Sequence, residues 1–308
     1  MTRLGPALAD YMSMRRALGY KLQRTEKLLT DFIRYVEAAS ADRITIDIAV
    51  AWATLPVGAG RNWWSGRLTV VRGFARFLQT LDASTEVPPA DLLPARPHRA
   101  VLYLYSDEDI QALVAAAGSL DSPLRILTYR TLIPLLAVTG MRIGEAIRLD
   151  RNDLDFEAGV LTVWLSKFGK SRELPLHDST LDALHAYLRR RDLLHSRPSA
   201  PSLFISTAGT RLLYCNVQWT FGRLVRQAGL KPRSANSGPR LHDLRHTFAV
   251  RTLIDAYRAD VNVAARLPLL STYLGHVHPG HTYWYLSAAP ELLALAGQRL
   301  ERHLEVSL

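Results

Sequence analysis

Between Leu8 and Val36 apolar residues return at helical spacing, with Leu28, Leu29, Phe32, Ile33 and Val36 among them, while Arg15, Arg16, Lys21, Arg24 and Lys27 fall on other faces. The pattern predicts a pair of helices broken near Gly19. A second helical stretch, WWSGRLTVVRGFARFLQTL from Trp63 to Leu81, sets Leu68, Val71, Phe74, Ala75 and Leu78 on one stripe and lets Arg67, Arg72 and Arg76 emerge elsewhere on its surface. VPPADLLPARPHR, residues 87 to 99, has prolines at 88, 89, 94 and 97, a composition that resists helix and strand and suits an extended linker. Beyond it, Ser106 with Asp109 forms a capping box that opens DEDIQALVAAAG. Helical periodicity runs from Leu124 to Val138 and resumes after Thr139-Gly140. VLTVWL at 160 to 165 then alternates as a strand does, and KFGKSRELPL after it completes a hairpin with lysines in its turn. A helix from about Thr180 to Arg190, a short strand around Leu203 to Ser206 and almost uninterrupted helix follow. The expected fold is mainly α with a small β-sheet: a helical domain over 1–86, a linker over 87–99 and a mixed α/β domain over 100–308.

Charge narrows the class of partner. Lys and Arg outnumber Asp and Glu by 38 to 28, a net +10 spread along the chain, which favours a polyanion such as nucleic acid over an anionic membrane surface. At 308 residues and 48% hydrophobic content, two packed domains are the expectation. A single cysteine, Cys215, excludes an internal disulfide and a thiolate metal cluster and suits a reducing compartment. Charged and polar residues interrupt the N-terminal stretch before it resembles a secretory signal, and the longest clean apolar run, LIPLLAV at 132 to 138, falls far short of the roughly 20 residues that span a bilayer. A cytoplasmic protein of two domains is therefore expected.

Four segments of the second domain hold side chains suited to phosphodiester chemistry. TGMRIGEAIRL places Arg142 at the start of a helix with Glu145 three residues on, where the carboxylate could hold the guanidinium in a fixed pose; taken alone, an ordinary surface ion pair is the better reading. SKFGKSRELPL puts Lys167 and Lys170 in a hairpin turn, a common place for lysines. LHDLRHTF carries His242 and Arg245 on one helical face, a proton carrier beside a phosphate ligand. LGHVHPGHTYWYL packs His276, His278, His281, Tyr283 and Tyr285 around a Pro-Gly turn. The histidine spacing there suits a zinc site poorly, and the two tyrosines, two apart on a helix, point in different directions, with aromatic packing as the plain alternative for both.

Jointly and in this order, Arg142, Lys167, His242 with Arg245, His276 and Tyr285 resemble the tyrosine recombinase, or phage-integrase, family. Its pattern is an arginine in TG-x-R-x-x-E, a lysine in a β-hairpin, an H-x-x-R helix, an LGH turn and a tyrosine nine residues beyond that histidine, the spacing of Tyr285 from His276. Pro279-Gly280-His281 departs from the small polar residues usual there. The resemblance implies a helical core-binding domain that clamps DNA, followed by a catalytic domain that cuts and rejoins it through a 3′-phosphotyrosyl intermediate on Tyr285, with Tyr283 the rival. Arg142 and Arg245 would brace the phosphate, His242 assist proton transfer and His276 hydrogen-bond the phosphate. Lys167 would protonate the leaving 5′-oxygen, preferred to Lys170 because Leu174-Pro175-Leu176 aligns with the family's strand. Arg15, Arg16, Lys21, Arg67, Arg72, Arg76 and Lys170 are the expected DNA contacts. No metal or cofactor is implied. The implied partners are double-stranded DNA with inverted-repeat core sites and further copies of the chain, a dimer per site and a tetramer in synapsis, or a related recombinase. A type IB topoisomerase shares the chemistry, and a DNA-binding protein that has lost activity shares the surface. The apolar face of the helix after Pro290 favours recombination if it docks on a neighbouring copy; the alternative is that it completes its own domain's core.

Overall fold

The computed structural model describes residues 4–95, 101–164, 171–232, 238–287 and 289–306. The chain divides into two compact units, Met1–Arg99 and Ala100–Leu308.

In the first unit, α1 (Leu4–Ala17) and α2 (Gln23–Ala38) are separated at Gly19, whose φ of +85° a side chain would strain. A third helix, α3 (Ile46–Thr54), was not marked by the pattern because IDIAVAWAT is apolar at nearly every position and shows no stripe. Thr45 caps it by accepting from the Ile48 N–H. The fourth, α4 (Arg61–Gln79), buries Leu68, Val71, Phe74, Ala75 and Leu78 against Phe32, Val36, Trp52 and Met12.

Two arginines of α4 correct the sequence expectation. Arg67 and Arg72 are only 8% and 9% exposed. The Arg67 guanidinium lies 3.6 Å from the centre of the Trp52 ring and donates to the Trp52 carbonyl at 2.9 Å. Arg72 donates to the carbonyls of Pro88 and Pro89, each at 2.7 Å. The long aliphatic stems let these charges reach acceptors within the unit, which periodicity alone does not foresee. The start of the proline-rich segment is thus fastened to α4 by main-chain acceptors. Arg76, by contrast, is exposed and lines an open groove together with Arg15; Arg16 and Lys21 are exposed as well. Arg15 lies 4.1 Å from the Tyr20 ring centre, and Arg16 pairs with Glu26 at 2.6 Å.

The second unit contains α5 (Asp107–Ala116), α6 (Pro123–Thr139) and α7 (Ile143–Arg148), then an antiparallel sheet of β1 (Leu154–Asp155), β2 (Val160–Val163) and β3 (Arg172–Pro175) in that order. Leu161 pairs with Leu174, so both leucines enter the core from one face. The Ser106–Asp109 capping box opens α5. After the sheet come α8 (Asp178–Leu194), α9 (Tyr214–Gln227), α10 (Asp243–Arg258), α11 (Val263–Leu274), the single turn α12 (Gly280–Tyr283), a 3-10 turn (Trp284–Ser287) and α13 (Pro290–Val306). The strand expected over Leu203 to Ser206 is instead a buried crossing held by isolated bridges, Asp150 with Ser202 and Ile205 with Arg211. The expected continuous helix is broken by Gly229 and Gly275, both at positive φ, by Asp260 at φ +53° and by the Pro279-Gly280 turn. One core joins α5 through α9 with the sheet; a second joins α10, α11, the 3-10 turn and α13. Among the described residues no helix is long and apolar enough to cross a membrane.

Candidate active site

The site is assembled where chain turns from both cores of the second unit converge. α6 ends at Gly140, whose φ of +58° releases the chain into α7. Arg142 sits at the start of α7. Its backbone N–H donates to one oxygen of Glu145 and its guanidinium to the other, both at 2.9 Å, while a second guanidinium nitrogen donates to the Gly275 carbonyl at 3.2 Å. Glu145 is almost fully enclosed and also accepts two bonds from Arg172 of β3, at 2.8 and 3.2 Å. Burial alone would raise this carboxyl, but the hydrogen bonds and charge of Arg172, joined by Arg142, outweigh it and hold the pKa at about 2. The carboxylate therefore stays ionised and fixes both arginines.

Arg245 lies one turn into α10 and points inward. It donates to the carbonyl of Gly140 at 2.8 Å and to that of Leu274, tying the end of α6 to the end of α11. Burial, then the charge of Arg142, lowers its pKa to about 10, which leaves it a cation at neutral pH. His242, at the start of the same helix, is exposed, and partial desolvation and the Arg245 charge lower its pKa.

His276 follows Gly275 and is partly buried, with Nδ1 2.8 Å from the hydroxyl of the buried Thr282. Desolvation and the charges of Arg245 and Arg142 push its pKa to about 3, so its ring is neutral. Tyr285 lies in the 3-10 turn, where the expected helix has tightened. Its side chain is 2% exposed, against 49% for Tyr283. The Tyr285 ring lies nearly parallel to His276, 6.3 Å between centres, and its hydroxyl is 2.9 Å from Nδ1 of His246. Burial raises the phenol above its usual 10, with Arg245 and then Arg142 pulling against that rise.

Arg142, His242, Arg245, His276 and Tyr285 thus lie in one neighbourhood, while Lys167 and Lys170 fall outside the described residues. His278 and His281 make edge contacts with centres 6.2 Å apart, and His281 meets His276 at 6.1 Å. Three contributors escaped the sequence reading: Arg172, Thr282 and His246. The last was legible in LHDLRHTF, four residues after His242 and hence on the same helical face.

A family model described as the phage integrase family matches residues 104–291. A putative integrase/recombinase of Sinorhizobium fredii (strain NBRC 101917 / NGR234) is 47% identical over 313 residues, covering 99% of each chain. Among solved structures, the fold is similar to that of the Tn1549 transposon integrase in complex with transposon right end DNA, with a TM-score of 0.66 at 18% identity, covering 98% of this chain and 99% of that one. It is also similar to a lambda integrase tetramer bound to a Holliday junction, with a TM-score of 0.62 at 21% identity, covering 92% and 76%.

Proposed function

Since the chain belongs to the phage integrase family of tyrosine recombinases, enzymes that break and rejoin DNA at specific sites, we propose that Tyr285 is its nucleophile and that Arg142, Arg245 and His276 hold the scissile phosphate. The observation that carries this reading is the pairing of a buried phenol with two guanidinium groups whose charges favour its ionisation. Those cations would also brace the non-bridging oxygens as charge redistributes in the transition state, where loss of one such donor typically costs about 3 kcal/mol. With the Thr282 hydroxyl donating to Nδ1 of His276, Nε2 of that neutral ring carries the hydrogen and donates to a phosphate oxygen.

In the proposed cycle the Tyr285 oxygen displaces the 5′-oxygen of the broken strand and forms a 3′-phosphotyrosyl bond. Lys167 supplies the leaving oxygen with a proton, and His242 assists proton transfer. The phosphotyrosine conserves the diester bond, so the 5′-hydroxyl of a partner strand can attack it and complete an exchange. Residues 1–86 would form the clamp domain, with Arg15, Arg16, Lys21 and Arg76 on DNA, and residues 100–308 the catalytic domain. Arg67 and Arg72 leave that contact set because both guanidinium groups are buried and bonded to acceptors inside the first unit. Duplex DNA with inverted-repeat sites, bound by a dimer and synapsed as a tetramer, is the expected partner; the likeness to the lambda integrase tetramer on a Holliday junction supports it.

The test uses nicked duplexes built from inverted repeats sought in the DNA that flanks the chain's coding region. The native enzyme should form a denaturation-resistant DNA adduct, and Tyr285→Phe should abolish the adduct while retaining a gel shift. An adduct surviving in Tyr285→Phe would transfer the role to another residue.

A further inference from the structure

As the Tyr285 oxygen closes on phosphorus its proton must go somewhere, and the imidazole of His246 is already in contact with it. We propose that His246 is the proton acceptor for Tyr285 and thus a further catalytic residue of strand cleavage; the inference rests on Tyr285 being the nucleophile. The hydroxyl lies 2.9 Å from Nδ1, within hydrogen-bond reach of an abstracted proton. Arg245 and Arg142, whose charges also act on the phenol, are guanidinium groups and have donors only. The imidazole is held on several sides: His242 meets it edge-on at 4.7 Å, Trp284 at 5.5 Å and the Tyr285 ring at 5.6 Å between centres. Being the neighbour of Arg245 on α10, it is positioned by the same helix that presents the phosphate ligand.

The surroundings also keep the ring in the form an acceptor requires. Burial, with His242, Arg240 and Arg245 on or just before its own helix and His276 from the turn after α11, disfavours the imidazolium. A neutral ring that accepts at Nδ1 carries its hydrogen on Nε2. A phosphate entering between Arg142 and Arg245 offsets the positive field that opposes protonation, so the acceptor strengthens when substrate is present. In the step, the phenol O–H breaks and its hydrogen joins Nδ1, giving an imidazolium. The oxygen's electron pair forms the O–P bond, the bond from phosphorus to the 5′-oxygen breaks, and that oxygen takes a proton from the general acid, assigned above to Lys167. Resealing runs in reverse, the imidazolium returning its proton to the tyrosine oxygen.

His246→Asn provides a sharp test because its side-chain oxygen can accept the same hydrogen bond but cannot carry off the proton. On the duplex that gives the native adduct, His246→Ala and His246→Asn should both slow single-turnover adduct formation by about a hundredfold or more at neutral pH, with the gel shift unchanged. Their deficit should narrow by about tenfold per pH unit as hydroxide takes over deprotonation. Adduct formation by His246→Asn at near-native rate, or a deficit independent of pH, would overturn the role. Should the alanine variant fail to fold, the asparagine variant with an unchanged thermal midpoint carries the comparison. An adduct in Tyr285→Phe would instead remove the nucleophile assignment, and the acceptor with it.

Discussion

Individual side chains in the site do their work through charge states set by burial. Glu145 is held at about 2 against an ordinary 4.5, so its contribution to stability is complete above pH 4.5 and is lost as pH falls towards 2. His246 and His276, at about 3 against 6.5, act at milder acidity: below pH 6.5 the unfolded chain takes up protons that the folded site refuses. Urea midpoints should therefore fall steadily from pH 6.5 towards 3, and His246→Gln should flatten that slope. An unaltered slope would mean that His246 is not held neutral. Arg172→Ala should be costly at neutral pH, since it removes one partner of an enclosed carboxylate; losses on the order of 3 kcal/mol are typical, measurable by the same denaturation. Arg142 with Glu145 was legible because the pair lies three residues apart in sequence. Arg172 was not, because its carboxylate partner lies 27 residues away, on α7.

Elements with a regular apolar period or a capping signal were the ones the sequence disclosed. α2, α4 and the β2–β3 pair follow from periodicity, and α5 from its capping residues. α3 lacked a stripe, and the Leu203 to Ser206 crossing has the apolar run of a strand without a partner strand along its length. Arg67 and Arg72 occupied helical positions that looked outward, yet their reach brought the charged ends inside. Tyr285 could be marked by its spacing from His276, but its enclosure depends on the helix tightening at Trp284, which local sequence does not announce. The termini of elements are equally consequential. A Cβ at Gly140 would sit 2.5 Å from Phe248 Cδ1 and 3.2 Å from Leu274 Cδ2, at a φ already unfavourable for side chains. Gly140→Ala should cost about 1–3 kcal/mol from backbone strain alone and slow adduct formation as well, since the Gly140 carbonyl anchors Arg245. Denaturation and single-turnover cleavage would register both.

Across the whole molecule, the net charge of +10 is distributed through both units, and its effect on DNA should appear as salt dependence. Each neutralised phosphate contributes about −0.9 to the slope of log affinity against log salt. Arg15→Gln with Arg76→Gln should flatten that slope by about two, and an unchanged slope would take the groove they line off the DNA surface. The arrangement of the catalytic unit has its own bearing on how variants behave. Arg245 is bound to the last carbonyls of two helices that belong to different cores, so it is a rivet as well as a ligand. Removing it frees two chain ends at once, and the loss of rate in an alanine variant would combine a missing cation with a site whose halves have drifted apart.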